Sequence, residues 1–255
     1  MNAFRNILFM SLIVCLNALA ISGSAWAQKL PSDAQAAPPP IDFNARLFPV
    51  MSEKGMVAAQ DFIAAEVGAK ILSRGGNAVD AAVATGFALA VTHPQAGNIG
   101  GGGFMMIALD GQEEMVALDF REMAPASAHP DIYLDQNGQV DNRLAQNSHQ
   151  SAGVPGSVMG LLHALDTYGT MNRDEVISPA ISLAEKGFLV APSLSRSLAL
   201  SKDRLAVDPS SIEYFYDDGA TPRPGYHLKQ TDLAKTLRRI AKKARTDFTR
   251  VRPPS

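Results

Sequence analysis

Four consecutive glycines, Gly100-Gly101-Gly102-Gly103, constrain this chain more than any other feature. Glycine brings no side chain to a core, and each one costs roughly 0.5–1 kcal/mol against alanine in regular structure. A run of four therefore requires close approach of another backbone, or dihedrals that no other residue tolerates. The run leads directly into Phe104-Met105-Met106-Ile107-Ala108-Leu109. Asp110-Gly111 is a turn signal, and Met115 to Phe120 reads as the returning strand of a hairpin. Both strands are apolar on both faces, which predicts that they lie covered between helical layers. Arg121 follows at the far end, so a glycine-lined backbone and a cationic fork form one wall of a candidate substrate site.

The N-terminus limits where such a chain works. Arg5 precedes an apolar run from Ile7 to Ile21, and Ala25-Trp26-Ala27 matches the A-x-A cleavage pattern, so residues 1–27 read as a secretory signal. At about 15 residues the run is short of the roughly 20 a membrane span requires. The expected product is periplasmic or secreted, with no stable membrane anchor. The one cysteine, Cys15, falls inside the signal, where bulky Val14 argues against lipid attachment. The mature chain is thus expected to hold no disulfide, thiol nucleophile or cysteine-based metal site. The formal charge of −2 becomes about −3 once Arg5 is removed, and no basic patch suited to nucleic acid is visible. Residues 28–46, with Pro38-Pro39-Pro40, form a Pro/Ala-rich leader.

Helical periodicity predicts a helix over 56–73 stopped by Gly75-Gly76, then an alanine-rich one from Ala78 to about Thr92. Asn77 is placed to cap the second, with Asp80 three residues on, and small residues on nearly every face imply burial. Residues 125–150 read as polar loop, and Gly153-Val154-Pro155-Gly156 as a turn. Further helices are predicted over 157–168 (capped by Ser157), 173–186 (interrupted or restarted at Ser178-Pro179), 193–205 and 231–242. Tyr214-Phe215-Tyr216 reads as a short strand and 221–225 as a surface loop. Helices on both sides of a hairpin imply a layered α and β architecture.

The residues themselves leave the chemistry open. Arg121 presents a planar donor fork that matches a carboxylate and does not titrate away; the alternative is a structural pair with Asp119 or Glu122. The glycines fit neither G-x-G-x-x-G nor a phosphate-binding loop, which leaves a backbone-lined site or a helix-to-strand packing joint. His93, His129, His149, His163 and His227 show no metal-binding spacing, and His163 reads as a packed or surface residue of its helix. No G-x-S-x-G occurs, and no nucleophile is paired with a base.

Four motifs nevertheless stand in a distinctive order. Gly75-Gly76-Asn77-Ala78-Val79-Asp80-Ala81-Ala82, Gly97-Asn98-Ile99-Gly100-Gly101-Gly102-Gly103-Phe104, Asp119-Phe120-Arg121-Glu122-Met123-Ala124-Pro125 and Gly153-Val154-Pro155-Gly156 together resemble the γ-glutamyltransferase (γ-glutamyltranspeptidase, glutathione hydrolase) family. Tyr168-Gly169 extends the likeness, which runs from about Val57 to about Ala241. The resemblance implies an α+β fold of the N-terminal nucleophile (Ntn) hydrolase type, a four-layered α-β-β-α sandwich, incomplete in this chain. It implies a secreted precursor that cleaves itself into large and small subunits and exposes a threonine on the small one. That threonine attacks the γ-glutamyl amide of glutathione or related compounds, its own amine serving as base. The γ-glutamyl group then passes to water or to an acceptor amino acid or peptide, and no cofactor is required. By the motif match, Arg121 falls on the arginine that binds the α-carboxylate of the γ-glutamyl group, and the glycine run becomes packing beside it.

Nothing in the sequence resembles the threonine motif of the small subunit, or the serines, aspartate and oxyanion hole that complete its pocket. No catalytic residue and no metal ligand is assigned here. The expected organisation is signal (1–27), leader (28–46), partial large-subunit domain (47–242) and a divergent tail (243–255), where a basic, proline-ending stretch reads as a frameshift or premature stop. An incomplete sandwich leaves apolar surface open, so the chain alone is expected to be poorly soluble and inactive on a γ-glutamyl anilide. Its alternatives are a non-catalytic γ-glutamyl-binding remnant, or one part of a split enzyme whose small subunit is made separately.

Overall fold

The computed structural model describes residues 51–111 and 113–242; the expected signal, leader and divergent tail lie outside the described residues. Helix α1 (Phe62–Ser73) begins six residues later than its apolar pattern predicts. The reason is Asp61, whose carboxylate accepts the Ala64 N–H at 3.1 Å and the Thr92 hydroxyl at 2.7 Å. That cap fixes the start of the helix and ties it to the end of α2 (Ala78–Thr92).

α2 is the centre of the molecule. Asn77 and Asp80 form the reciprocal capping box predicted from their spacing: the Asn77 carboxamide accepts the Val79 and Asp80 N–H groups, and Asp80 accepts the Asn77 N–H. Eleven of its fifteen residues are buried, as a helix surrounded by neighbours requires. It packs against α1, against α4 (Ser157–Tyr168) and against α5 (Arg173–Lys186), and α5 packs in turn on α8 (Thr231–Lys242). The α1–α2 crossing is close at Gly68, where a Cβ would lie 2.3 Å from the Thr85 hydroxyl oxygen. Buried Gln230 fastens three helices: its N–H donates to the Ala184 carbonyl, and its side-chain amide donates to the Val91 carbonyl at 2.7 Å.

Several expectations are corrected. α5 runs unbroken through Pro179, because the Ser178 hydroxyl donates at 3.3 Å to the Glu175 carbonyl that the proline cannot serve. Ser157 does not cap α4. Gly156 occupies that position, and Ser157 is a buried first-turn residue. Tyr214 and Phe215 belong to helix α7 (Pro209–Phe215), not a strand: Asp208 caps it by accepting the Ser210 N–H, and Pro209 pre-sets its first turn. α6 (Pro192–Leu205) likewise begins on a proline. Within the polar 125–150 stretch lies a short helix, α3 (Asn142–Asn147), capped by Asp141. A small pairing of β3 (Phe188–Leu189) with β4 (His227–Leu228) carries no sequence signal.

The hairpin forms as predicted, β1 (Phe104–Ile107) antiparallel to β2 (Val116–Asp119), with Met105 opposite Leu118 and Met106 opposite Ala117. Its expected burial on both faces is not met. Met105, Ile107, Val116 and Leu118 pack toward the helices. On the other face Phe104 and Met106 are 65% and 63% exposed, because no described element lies over them.

Candidate functional site

Arg121 stands one residue beyond a locked backbone. Phe120 extends the hairpin by a further pair, its N–H donating to the Gly103 carbonyl at 3.0 Å and its carbonyl accepting the Gly103 N–H. Two residues past Arg121, Met123 exchanges both backbone hydrogen bonds with Val154. Between these two clamps the Arg121 N–H donates to the Asp119 carboxylate at 3.0 Å. The backbone that carries the guanidinium is thus tied on each side and in the middle.

The glycines make this clamp possible, and close approach is their reason. None of Gly100 to Gly103 has positive φ. A Cβ on Gly102 would fall 2.6 Å from the Glu122 nitrogen, and one on Gly156 would fall 1.9 Å from the Phe120 carbonyl oxygen. On α4, a Cβ at Gly160 would lie 2.1 Å from Phe120 Cγ, so the Phe120 ring is seated in the notch where a side chain is missing. The Gly101 carbonyl accepts the N–H groups of Gly156 and Ser157 at 2.8 and 2.9 Å, which docks the start of α4 on the glycine run. Of the two readings open in the sequence, the packing joint is the one observed.

Arg121 itself is exposed, and no described carboxylate lies within 4.0 Å of its guanidinium. The structural pairing with Asp119 or Glu122 is therefore not made among the described residues. The side chain borders a cavity of about 480 Å³ between β2 and α4, whose wall includes Asp119, Met123, Met159, Gly160 and His163. Because Phe120 pairs with Gly103, strand alternation turns the N–H and C=O of Ala117 and Asp119 to the opposite, open edge of β2, along this cavity. A fixed cation at the mouth of a largely apolar recess can orient a carboxylate-bearing ligand.

His163 is neither core nor bare surface: it is half-buried and lines the cavity with Met159. The signal for both was the four-residue spacing that puts them on one face of α4, away from Val158, Leu162 and Leu165. Among the described residues no group of three histidines, cysteines or carboxylates could hold a metal ion, and no helix is long and apolar enough to cross a membrane.

The other strongly held carboxylate lies away from this cavity. Asp80 is completely buried and accepts hydrogen bonds from the Asn77 N–H, the Thr170 N–H and hydroxyl, and the Met171 N–H. Burial pushes its pKa up, but the Thr170 hydroxyl and the three backbone N–H groups outweigh that and hold it below the ordinary aspartate value. It joins the start of α2 to the α4–α5 turn.

Residues 64–250 match the gamma-glutamyltranspeptidase family. The glutathione hydrolase proenzyme of Escherichia coli K12 is 44% identical over 237 residues, which cover 91% of this chain and 40% of that protein. The acylase ACY 1 proenzyme of Pseudomonas sp. SE83 is 39% identical over 216 residues, 80% of this chain and 38% of its own length. Among solved structures, the gamma-glutamyltranspeptidase of Helicobacter pylori superposes with a TM-score of 0.74 at 44% identity, covering 76% of this chain and 56% of that one. The described helices and hairpin are accordingly part of an α+β, Ntn-hydrolase-type fold. The chain spans about 40% of the length of curated relatives it matches.

Proposed function

Since this chain belongs to the gamma-glutamyltranspeptidase family, we propose that it supplies the carboxylate-binding part of a site for cleavage and transfer of γ-glutamyl groups. Arg121 carries this reading. It is the position where the family motif coincides with an exposed guanidinium on a clamped backbone, with no described carboxylate within 4.0 Å. In the proposal the guanidinium takes the α-carboxylate of a γ-glutamyl donor such as glutathione in a two-pronged contact. The acyl group then passes to water or to an acceptor amino acid or peptide. The attacking threonine hydroxyl belongs to the small subunit, and this chain contributes binding and orientation. Charged hydrogen bonds of this kind are worth about 1.5–3 kcal/mol. Arg121→Ala is therefore expected to weaken glutamate binding roughly tenfold to a hundredfold, read by titration, while the melting temperature holds. Equal affinity in both proteins would remove the assignment.

The open face of the hairpin supports a polypeptide partner as well. Phe104, Met106 and Met115 are each more than 60% exposed beside a strand edge that is unpaired among the described residues. Burying such side chains stabilises by about 1.5–3 kcal/mol apiece. The small subunit of the same precursor is the proposed cover, adding the nucleophile as it adds its strands. Co-production of this chain with the portion of a relative that it does not match is expected to yield a soluble pair with γ-glutamyl anilide turnover, and the chain alone none. Turnover by the chain alone would defeat this division of labour. Export is proposed from residues 1–27, and mass spectrometry of the secreted product should find Gln28 at its start.

A further inference from the structure

Between Ala124 and Gly153 the chain leaves the fold for 28 residues and returns, and not one of them is buried. The excursion adds nothing to the core, yet it is ordered from within. Its neck is closed by the Met123–Val154 pairing. Inside, the Tyr133 hydroxyl donates to the Gln150 carbonyl at 3.2 Å, Asp135 Oδ1 accepts the Asn137 and Gln139 N–H groups, and Leu134 bridges Val140. A long loop without a core of its own but with its own staples is usually kept for what it faces.

This one faces Arg121. A second cavity, about 570 Å³, lies between the Arg121–Pro125 segment and the excursion, whose contribution includes His129, Tyr133, Gln150 and Ser151. Arg121 borders both cavities, so a ligand gripped there by its carboxylate can extend into either. The two differ in chemistry. The β2–α4 recess is walled mainly by methionine, glycine and proline, with Asp119 and His163 as polar members, beside a strand edge that no described element pairs. The excursion adds an imidazole, a phenol, a carboxamide and a hydroxyl beside Glu122; the Tyr133 and Ser151 hydroxyls donate within the excursion and can still accept, while His129 and Gln150 can meet peptide amides as donor or acceptor.

We infer that the 125–152 excursion walls a subsite for the amide-bearing peptide portion of the substrate whose carboxylate Arg121 holds. The inference rests on the Arg121 reading and adds where the remainder of a γ-glutamyl peptide lies: against His129, Tyr133 and Gln150, not against Met159 and His163. Because none of these wall residues is buried, the excursion can be altered without opening the core.

Saturation-transfer NMR on the full chain with glutathione, and separately with free glutamate, tests this proton by proton. The expected result is saturation of the glutamyl protons in both ligands and of the cysteinyl and glycyl protons in glutathione. The H129A/Q150A double variant should lose most of the cysteinyl and glycyl signal and keep the glutamyl signal, with an unchanged melting temperature. H163A should keep both. Glycyl protons that never saturate, or that saturate equally in the double variant, would overturn the subsite. Loss of the cysteinyl and glycyl signal in H163A instead would move the tail to the β2–α4 recess and overturn it as well. If the glutamyl protons themselves fail to saturate, the Arg121 reading falls and takes this inference with it, whereas saturation of those protons alone removes only the subsite.

Discussion

The α2 core and the Arg121 clamp are both built by bringing backbones close at small residues, and they end in opposite conditions. Around α2, contact at Gly68 and the buried alanines closes most of the helix, leaving only the stripe of Ala78, Ala82, Gly86 and Leu89 open or half-open, and its one buried carboxylate is satisfied by four separate donor groups. At the clamp, Gly102, Gly156 and Gly160 lock Phe120 and its neighbours just as tightly, but the charged group is displayed outward and one face of the hairpin stays open. Close packing thus serves stability in one region and presentation in the other. Substitutions in the first should register in folding, and those in the second in ligand or partner binding.

The largest effect is expected at Asp80. Asp80→Ala removes the buried carboxylate that accepts from the Asn77, Thr170 and Met171 N–H groups and the Thr170 hydroxyl, donors that are themselves half-buried or exposed. At about 1.5–3 kcal/mol for a hydrogen bond to a charged group, the four together should still be worth at least about 3 kcal/mol after water has reached the freed donors. Urea unfolding measures it, and a loss below 1 kcal/mol would mean that the α2 junction is not the closed half of the comparison.

Next comes the notch on α4. Gly160→Ala puts a methyl group into the Phe120 ring, an overpacking that costs about 1–3 kcal/mol. Phe120→Ala in the same protein should relieve part of it, since it removes the ring atoms that the new Cβ would meet at 2.1 and 2.4 Å but keeps the Phe120 Cβ at 2.5 Å. A double-mutant cycle with no coupling would show that ring and notch do not act together.

Acid gives a smaller and signed effect. The folded pKa of Asp80 lies below its unfolded value, so its contribution is fully present above the unfolded pKa of about 3.9 and is lost as pH falls through the folded one. The loss is less than for truncation, because a protonated carboxyl still accepts hydrogen bonds. The charged groups on the packed elements do not act on it directly: Arg173 is paired with Asp166, and Glu175 accepts the Asn172 N–H. The urea midpoint should fall more steeply below pH 4 in the natural protein than in Asp80→Asn; parallel curves would count against the carboxylate.

The same contrast explains what the sequence revealed. α2 was legible because its cap, Asn77 and Asp80, and its alanines are local signals. The exposed place of Arg121 just past the hairpin was legible from the strand pattern, and its proposed role rests on a motif. The notch that seats Phe120 was not, since Gly160 and Phe120 are forty residues apart and neither announces the other. The aromatic triad 214–216 favoured a strand until Asp208-Pro209 is weighed, a cap and first turn strong enough to carry Tyr214 and Phe215 into α7. Pro179 suggested a break that the Ser178 hydroxyl makes unnecessary. The hairpin's apolar pattern predicted cover on both faces, and only one is covered by the described helices, because a strand pattern marks apolar faces without naming what lies over them.

That last point gives the smallest effect on the chain alone and the sharpest contrast. Met106 stands on the open face, 63% exposed, opposite Ala117. In the isolated chain, Met106→Gln removes no packed contact of the core, so stability should change by no more than about 0.5 kcal/mol, and solubility should rise as the apolar patch shrinks. With a co-produced partner the same substitution places a carboxamide in the new interface and should weaken the pair about tenfold, since an uncompensated buried amide costs about 1–3 kcal/mol. A change that is silent alone and costly in the pair identifies the hairpin as the unfinished half of the fold. If the chain by itself lost stability to Met106→Gln, that face would already be part of a closed core, and the distinction between the two regions would fail.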